Sequence, residues 1–289
     1  MNRTGLVFGL SARTAAFGLC SLGLAVGGAL RRARRSARNV PLSALHGDGR
    51  IGPTWPERTD VRGDRVDGET ESLEDYARSG FDPNAVHPDV RALYEETATF
   101  GMSVAATWHF PYSLGARVAS RGTSRIEQLN LPGPGGDSKR VSSDLFALAE
   151  PAAETDPRDD PRLWIRTDDD TGEGVFVAIY ASYVDGDERF VNIAVPLPHT
   201  NLATVLRMEH YGDGIALTTD CPDGGLYLHT RTMAFKLPAS QRFRVSPAHD
   251  SPGSVADSAR NEAAVLADQR ISLLGLPLVT VRYTATRER

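Results

Sequence analysis

From Leu163 to Val245 apolar and polar residues alternate with a period of two, the pattern of strands that turn one face toward a core. The segments are LWIRTD at 163–168, GVFVAIYASYV at 174–184, RFVNIAVPLP at 189–198, LATVLRMEHY at 202–211, GIALTTD at 214–220, GGLYLHTRTMAFKLP at 224–238 and QRFRV at 241–245. Upstream, MSVAATWHF alternates through Val104, Ala106, Trp108 and Phe110. Downstream, QRISLLGLPLVTVRYTAT supplies one or two more strands broken near Gly275 and Pro277. The connections carry hairpin chemistry: Asp185-Gly186, Gly212-Asp213-Gly214 and Pro222-Asp223-Gly224-Gly225. Strands joined so tightly must be antiparallel neighbours, because a parallel pair needs a long crossover. A meander of about eight or nine strands closes into a barrel or splits into a sandwich, and the barrel has the advantage of hiding its edges.

Helical signals come before this region. In SLEDYARSG, Ser72 is placed as an N-cap and Gly80 as a stop. In FDPNAVHPDVRALYEETATFG, Pro88 and Asp89 suit a first helical turn, and Val90, Leu93 and Tyr94 share a face. Two further helical stretches are predicted at Leu114–Ser120 and Arg125–Leu129, ahead of the breaker PGPGG at 132–136. The predicted class is α+β, mainly β, with one globular domain over 71–289. Residues 39–70 mix Gly, Pro and charge without apolar periodicity and read as a linker.

Charge alters this picture at the front of the chain. Seven of the 32 basic residues lie in residues 1–40 with no acid, leaving 25 against 37 acids, a net −12, in residues 41–289. Such a body repels phosphates, so nucleic acid is not an expected partner. The arm, residues 1–38, carries an uncharged run from Thr14 to Leu30, extending back toward Gly5 across Arg13, and then RRARRSAR. The run is short for a spanning helix. Arginines after an apolar segment favour the cytoplasmic side. The arm therefore predicts membrane contact through residues 5–38 at the cytoplasmic face, with a cytoplasmic protein as the alternative.

Several pieces in order, FDPNAVHPDVRALYEETA at 81–98, RIEQLNLP at 125–132, and the VPLP, LRMEHYGDG and DGGLYL elements, resemble the soluble C-terminal region of the YndJ-like bacterial proteins. The resemblance covers about residues 80–285. It implies that in longer members this region follows a multi-span membrane segment. It supplies no catalytic residues, since no activity attaches to the family.

Candidate chemistry is sparse. His199, His210 and His229 lie in or beside neighbouring strands, but no HxH or HExxH spacing supports a metal site, and Glu209 points away from His210 by alternation. Cys20 and Cys221 are too few for a thiolate site. Asp168-Asp169-Asp170 lacks the ligand spacing of a calcium loop and reads as a solvated turn. His87 before Pro88 suits a helix cap. Glu95 and Glu96 are adjacent and diverge. No GxSxG or phosphate-binding glycine motif is present, and no cofactor is implied.

One strand face mixes large apolar groups with basic ones: Tyr227, His229, Arg231, Met233 and Phe235. Facing into a barrel, it would set His229 and Arg231 in an apolar cavity, where an arginine requires an anion from protein or ligand. The other orientation puts Leu226 and Leu228 inside. Two function classes follow. One is a membrane-tethered module that binds a lipid, another small hydrophobic or amphipathic ligand, or a protein partner through Tyr227, His229, Arg231 and His210. The other is an enzyme acting on a small anion, with His210 or His229 as base and Arg231 holding the charge.

Overall fold

A computed structural model describes residues 27–248 and 263–288. Among these residues thirteen strands form one antiparallel sheet. They are β1 (Arg62–Arg65), β2 (Phe100–Trp108), β3 (Lys139–Leu148), β4 (Asp159–Asp168), β5 (Gly174–Asp185), β6 (Glu188–Leu197) and β7 (Thr200–Tyr211). After these come β8 (Gly214–Thr218), β9 (Gly225–Thr230), β10 (Ala234–Lys236), β11 (Ala239–Pro247), β12 (Val265–Leu273) and β13 (Leu276–Arg287). After the arm the α-helices are α1 (Trp55–Arg58), α2 (Pro88–Glu95), α3 (Tyr112–Ile126) and α4 (Glu150–Thr155).

Ten strands close into a ring, β7-β6-β5-β4-β3-β2-β13-β12-β11-β8 and back to β7. This is the expected barrel, with more strands than the eight or nine predicted. β7 makes closure possible by dividing one edge between two partners: Thr200–Val205 pair with β9, and Arg207–Tyr211 pair with β8. β9, β10 and β1 are the three outer strands, β1 lying against β3.

Both mouths are covered. At one, the chain from Val66 to Thr99 lays Leu73, Tyr76, Phe81, Val86 and Val90 onto the interior core. Ser72 accepts from the Glu74 amide at the start of a 3-10 turn, where an N-cap was expected. At the other mouth, the segment after α3 is pinned by Gln128. Its Nε2 donates to Val177 O (2.8 Å) and Pro196 O (2.9 Å), and its Oε1 accepts from Val177 N (3.0 Å). The two helical stretches read near here are one helix, α3, ended by Glu127 in the left-handed region.

Residues 39–70, read as a linker, pack on the barrel: those up to Val61 form a belt on its outer wall, and those from Val66 begin the cover of the mouth. Ile51, Trp55 and Val61 pack on Phe146, Leu163, Ile165, Val177 and Ile179, and Gly47 bridges to Pro198. Ala37 and Val40 extend the belt over Tyr183, Phe190 and Val205. Strands β4 to β7 are thus buried on both faces, which is why GVFVAIYASYV and VNIAV read as nearly continuous apolar runs. Residues 5–26 of the arm lie outside the described residues. No described helix is long and apolar enough to cross a membrane.

Candidate ligand cavity

Alternation on β4 sends Leu163 and Ile165 out to the belt and Trp164 and Arg166 inward. Tyr180 on β5, Phe243 on β11, Gln269 on β12 and Tyr283 on β13 face the same space, a cavity of about 150 Å³ inside the barrel. Leu129 and Leu131 close it at one end, and Glu69, Leu93 and Tyr94 at the other. Its wall is otherwise mostly Leu, Val, Ile and Ala, and only Glu69 and Arg166 among its lining residues carry ionisable charge of the acid or base type.

Arg166 is 8% exposed. Its guanidinium carbon sits 4.0 Å from the centroid of the Trp164 ring and 5.1 Å from that of Tyr283. These faces stabilise a cation, and the Tyr283 hydroxyl adds a hydrogen bond to the guanidinium, but Nε is left without a partner. Among the described residues no carboxylate lies within 4 Å of it, and Nε is buried without a hydrogen-bond partner. A buried arginine with neither counter-ion nor full hydrogen bonding costs free energy that a bound anion would recover.

Glu69 does not serve as that counter-ion at neutral pH. Burial pushes its carboxyl up to about 8, against a smaller opposing pull from Arg166. Near pH 7 it is mainly the neutral acid, a donor rather than an anion. Burial also raises the phenols of Tyr94, Tyr180 and Tyr283, with Glu69 adding to the rise at Tyr94 and Tyr180. The Tyr94 hydroxyl has no partner, and that of Tyr283 donates to Gln269 Oε1 at 2.9 Å. The cavity therefore holds one net positive charge, spare donors and apolar walls.

The uncharacterised membrane protein YndJ of Bacillus subtilis is 25% identical to this chain over 250 residues, which cover 84% of the chain and 43% of that relative's own length. The chain is thus similar to YndJ over most of its own length. No family model matches it, and no solved structure matches it. The chain spans less than half of the relative's length, so the name says nothing directly about the activity of this part.

None of the four residues singled out in the sequence lines the cavity. The strand read at 224–238 is a hairpin: β9 ends at Thr230, and Ala234 on β10 pairs back with His229. Arg231 falls in the turn and is exposed, so the five-residue face does not exist as one surface. Leu226 is the β9 residue that reaches the interior, as in the alternative orientation. Tyr227 is fully buried on the outer side against Ala37 and Val40, and its hydroxyl donates to Asp223 O. His229 meets Ser43 O through Nδ1 (3.0 Å) and lies 5.2 Å from the His46 ring, whose pKa is lowered mainly by burial.

His210 is on the inward side of β7, beyond Leu206 and Met208, under the cap. Its Nε2 accepts from the Asp82 amide (2.9 Å), and its ring packs on Phe81. Both His210 and His229 thus bond backbone groups. His87 accepts from Asp89 N at the start of α2, the capping role expected of it. Asp168 of the acidic triplet is held by Lys139 Nζ at 3.1 Å. Among the described residues no three of His, Cys, Asp and Glu gather as metal ligands would. Burial lifts the Cys221 thiol to about 11, so it stays protonated.

The sequence did hold a hint of the cavity wall. Trp164, Arg166 and Asp168 alternate on one face of a strand whose other face is Leu163 and Ile165. Trp164 beside Arg166 on that face was the hint, and the belt over Leu163 and Ile165 is what turns the arginine inward. Glu69 gave no such signal, because it sits in an irregular stretch without periodicity.

Proposed function

We propose that this YndJ-like domain is a binding module for a small amphipathic anion, whose charged group pairs with Arg166 and whose apolar body fills the barrel. The observation that carries the reading is the buried Arg166 with an unpartnered Nε and no carboxylate within 4 Å. Size sharpens it. A dry cavity of ~150 Å³ takes a molecule on the scale of benzene, so the ligand class is an aromatic or short-chain carboxylate, not a long acyl chain. The basic, apolar arm at residues 5–38 and the membrane-protein name of the relative support a tether at the cytoplasmic face.

Isothermal titration with benzoate, hexanoate and dodecanoate, each beside the matching alcohol, tests the ligand class. Saturable one-to-one binding of benzoate or hexanoate is expected, at least about tenfold tighter than the alcohol. Equal affinity for acid and alcohol would remove the role given to Arg166. Preference for dodecanoate would overturn the size argument.

A further inference from the structure

We propose that the outer face of α3, together with the tip of the β12–β13 hairpin, is a docking surface for an anionic lipid bilayer. α3 runs fifteen residues yet has one buried side chain, Ala116. Phe110, Leu114 and Val118 stand out at 78%, 62% and 70% exposure. Leu274 and Leu276 at the hairpin tip add 69% and 50%. The Tyr112 hydroxyl donates to Leu273 O (2.8 Å), which fixes the start of the helix beside that tip and joins the five side chains into one patch. Exposed apolar groups clustered in this way mark an interaction surface rather than scattered surface residues.

Charge selects the occupant. At about 100° per residue, Leu114, Val118, Arg121 and Arg125 fall within an arc of about 60°. Arg117 lies beside it. From Phe110 to Ile126 there are three arginines and no acid, in a body whose net charge is −12. Among the described residues none of the three arginines forms an ion pair. A helix that follows an exposed Phe110, presents Leu114 and Val118 in its first turns and ends in arginines matches a bilayer surface: rings and aliphatic groups enter the acyl boundary, and guanidinium groups stay among the phosphates. A second copy fits poorly, because a twofold contact is self-complementary and this face offers no acid to meet its own arginines.

The test uses the full chain and two variants, Phe110→Ser/Leu114→Ser/Val118→Ser and Arg117→Gln/Arg121→Gln/Arg125→Gln. Co-sedimentation is measured with vesicles of phosphatidylcholine alone and of phosphatidylcholine with phosphatidylglycerol. Hydrogen exchange across residues 110–126 is followed on the same samples, which separates this face from anything the arm contributes. Binding to the anionic vesicles with slowed exchange in 110–126 is expected. The serine variant should lose at least about tenfold in partitioning, and the glutamine variant about fivefold for each arginine at low salt. Vesicle binding with unchanged exchange in 110–126 would assign the contact elsewhere and overturn the proposal. Equal binding to neutral vesicles would overturn the anionic preference. Absence of vesicle binding, with a concentration-dependent dimer abolished in the serine variant, would make the face a contact between copies.

Discussion

Arg158, just before β4, and Arg166, near its far end, are both buried, and they are solvated by the protein in opposite ways. Arg158 has every part of its guanidinium occupied. Nε and Nη2 meet the two oxygens of Asp156 at 2.7 and 2.8 Å, and Nη1 donates to Asn192 O at 2.9 Å. Asp156 also accepts from Ser43 Oγ (2.8 Å), and Asn192 Nδ2 donates to Pro41 O (2.6 Å), so the same cluster fastens the belt to the barrel. Arg166 has two ring faces and an orphan Nε. A buried charge that is fully bonded explains itself as structure. One that is left open, in a cavity with its only acid held neutral, is the feature on which the proposed ligand site rests.

The contrast can be broken most forcefully at Asp156. Asp156→Ala leaves Arg158 buried and uncompensated, and urea unfolding should show a loss of roughly 3–5 kcal/mol. A loss under about 1 kcal/mol would mean that water enters the cluster and that the two arginines do not differ as described.

Glu69 sharpens the contrast through pH. Its folded-state pKa, about 8, lies above the ordinary value of 4.5. The folded state therefore binds more protons between these values, and stability should fall as pH rises through that window and level off above it. The slope approaches about 1.4 kcal/mol per pH unit for one group. Glu69→Gln should flatten the profile, as thermal unfolding at a series of pH values would show. A wild-type profile as flat as the variant's would contradict the buried neutral acid.

A smaller effect of opposite sign is expected at Arg166. Arg166→Met removes an unpaired buried charge at similar volume, so the unliganded protein should gain roughly 1–3 kcal/mol while losing carboxylate binding. If the variant were instead less stable, the ring contacts alone would be enough to satisfy the cation. Least of all, Arg231→Ala in the exposed β9–β10 turn should change stability by less than about 0.5 kcal/mol. It should also leave carboxylate affinity unchanged in the same titration.

How far the sequence revealed these two regions follows from their physics. The hairpins were legible because Gly186 and Gly212 adopt the positive φ that their turns require, and because alternation marks each half-buried strand. β3 was missed: Ser142, Ser143 and Asp144 interrupt its apolar positions, and its ladder on β4 is a tertiary fact. The belt was missed because Ile51 and Trp55 are single anchors without a period. Its trace was present all the same, in strands too uniformly apolar to have a wet side. Arg231 drew attention by composition, but the chain reverses there, and alternation holds only while a strand continues. Trp164 two residues before Arg166 hinted at a second buried face, but the arginine's burial depends on the belt and its isolation from any acid on distances that no pattern encodes.

The central claim rests on one nitrogen. Selective ¹⁵N labelling of arginine allows the Arg166 Nε–H resonance, assigned by its loss in Arg166→Met, to be followed during a hexanoate titration. The account predicts a saturable one-to-one shift of that resonance with slowed solvent exchange, while the Arg158 Nε–H stays fixed. Hexanoate binding that leaves the Arg166 signal unmoved, or no binding up to millimolar concentration, would contradict it.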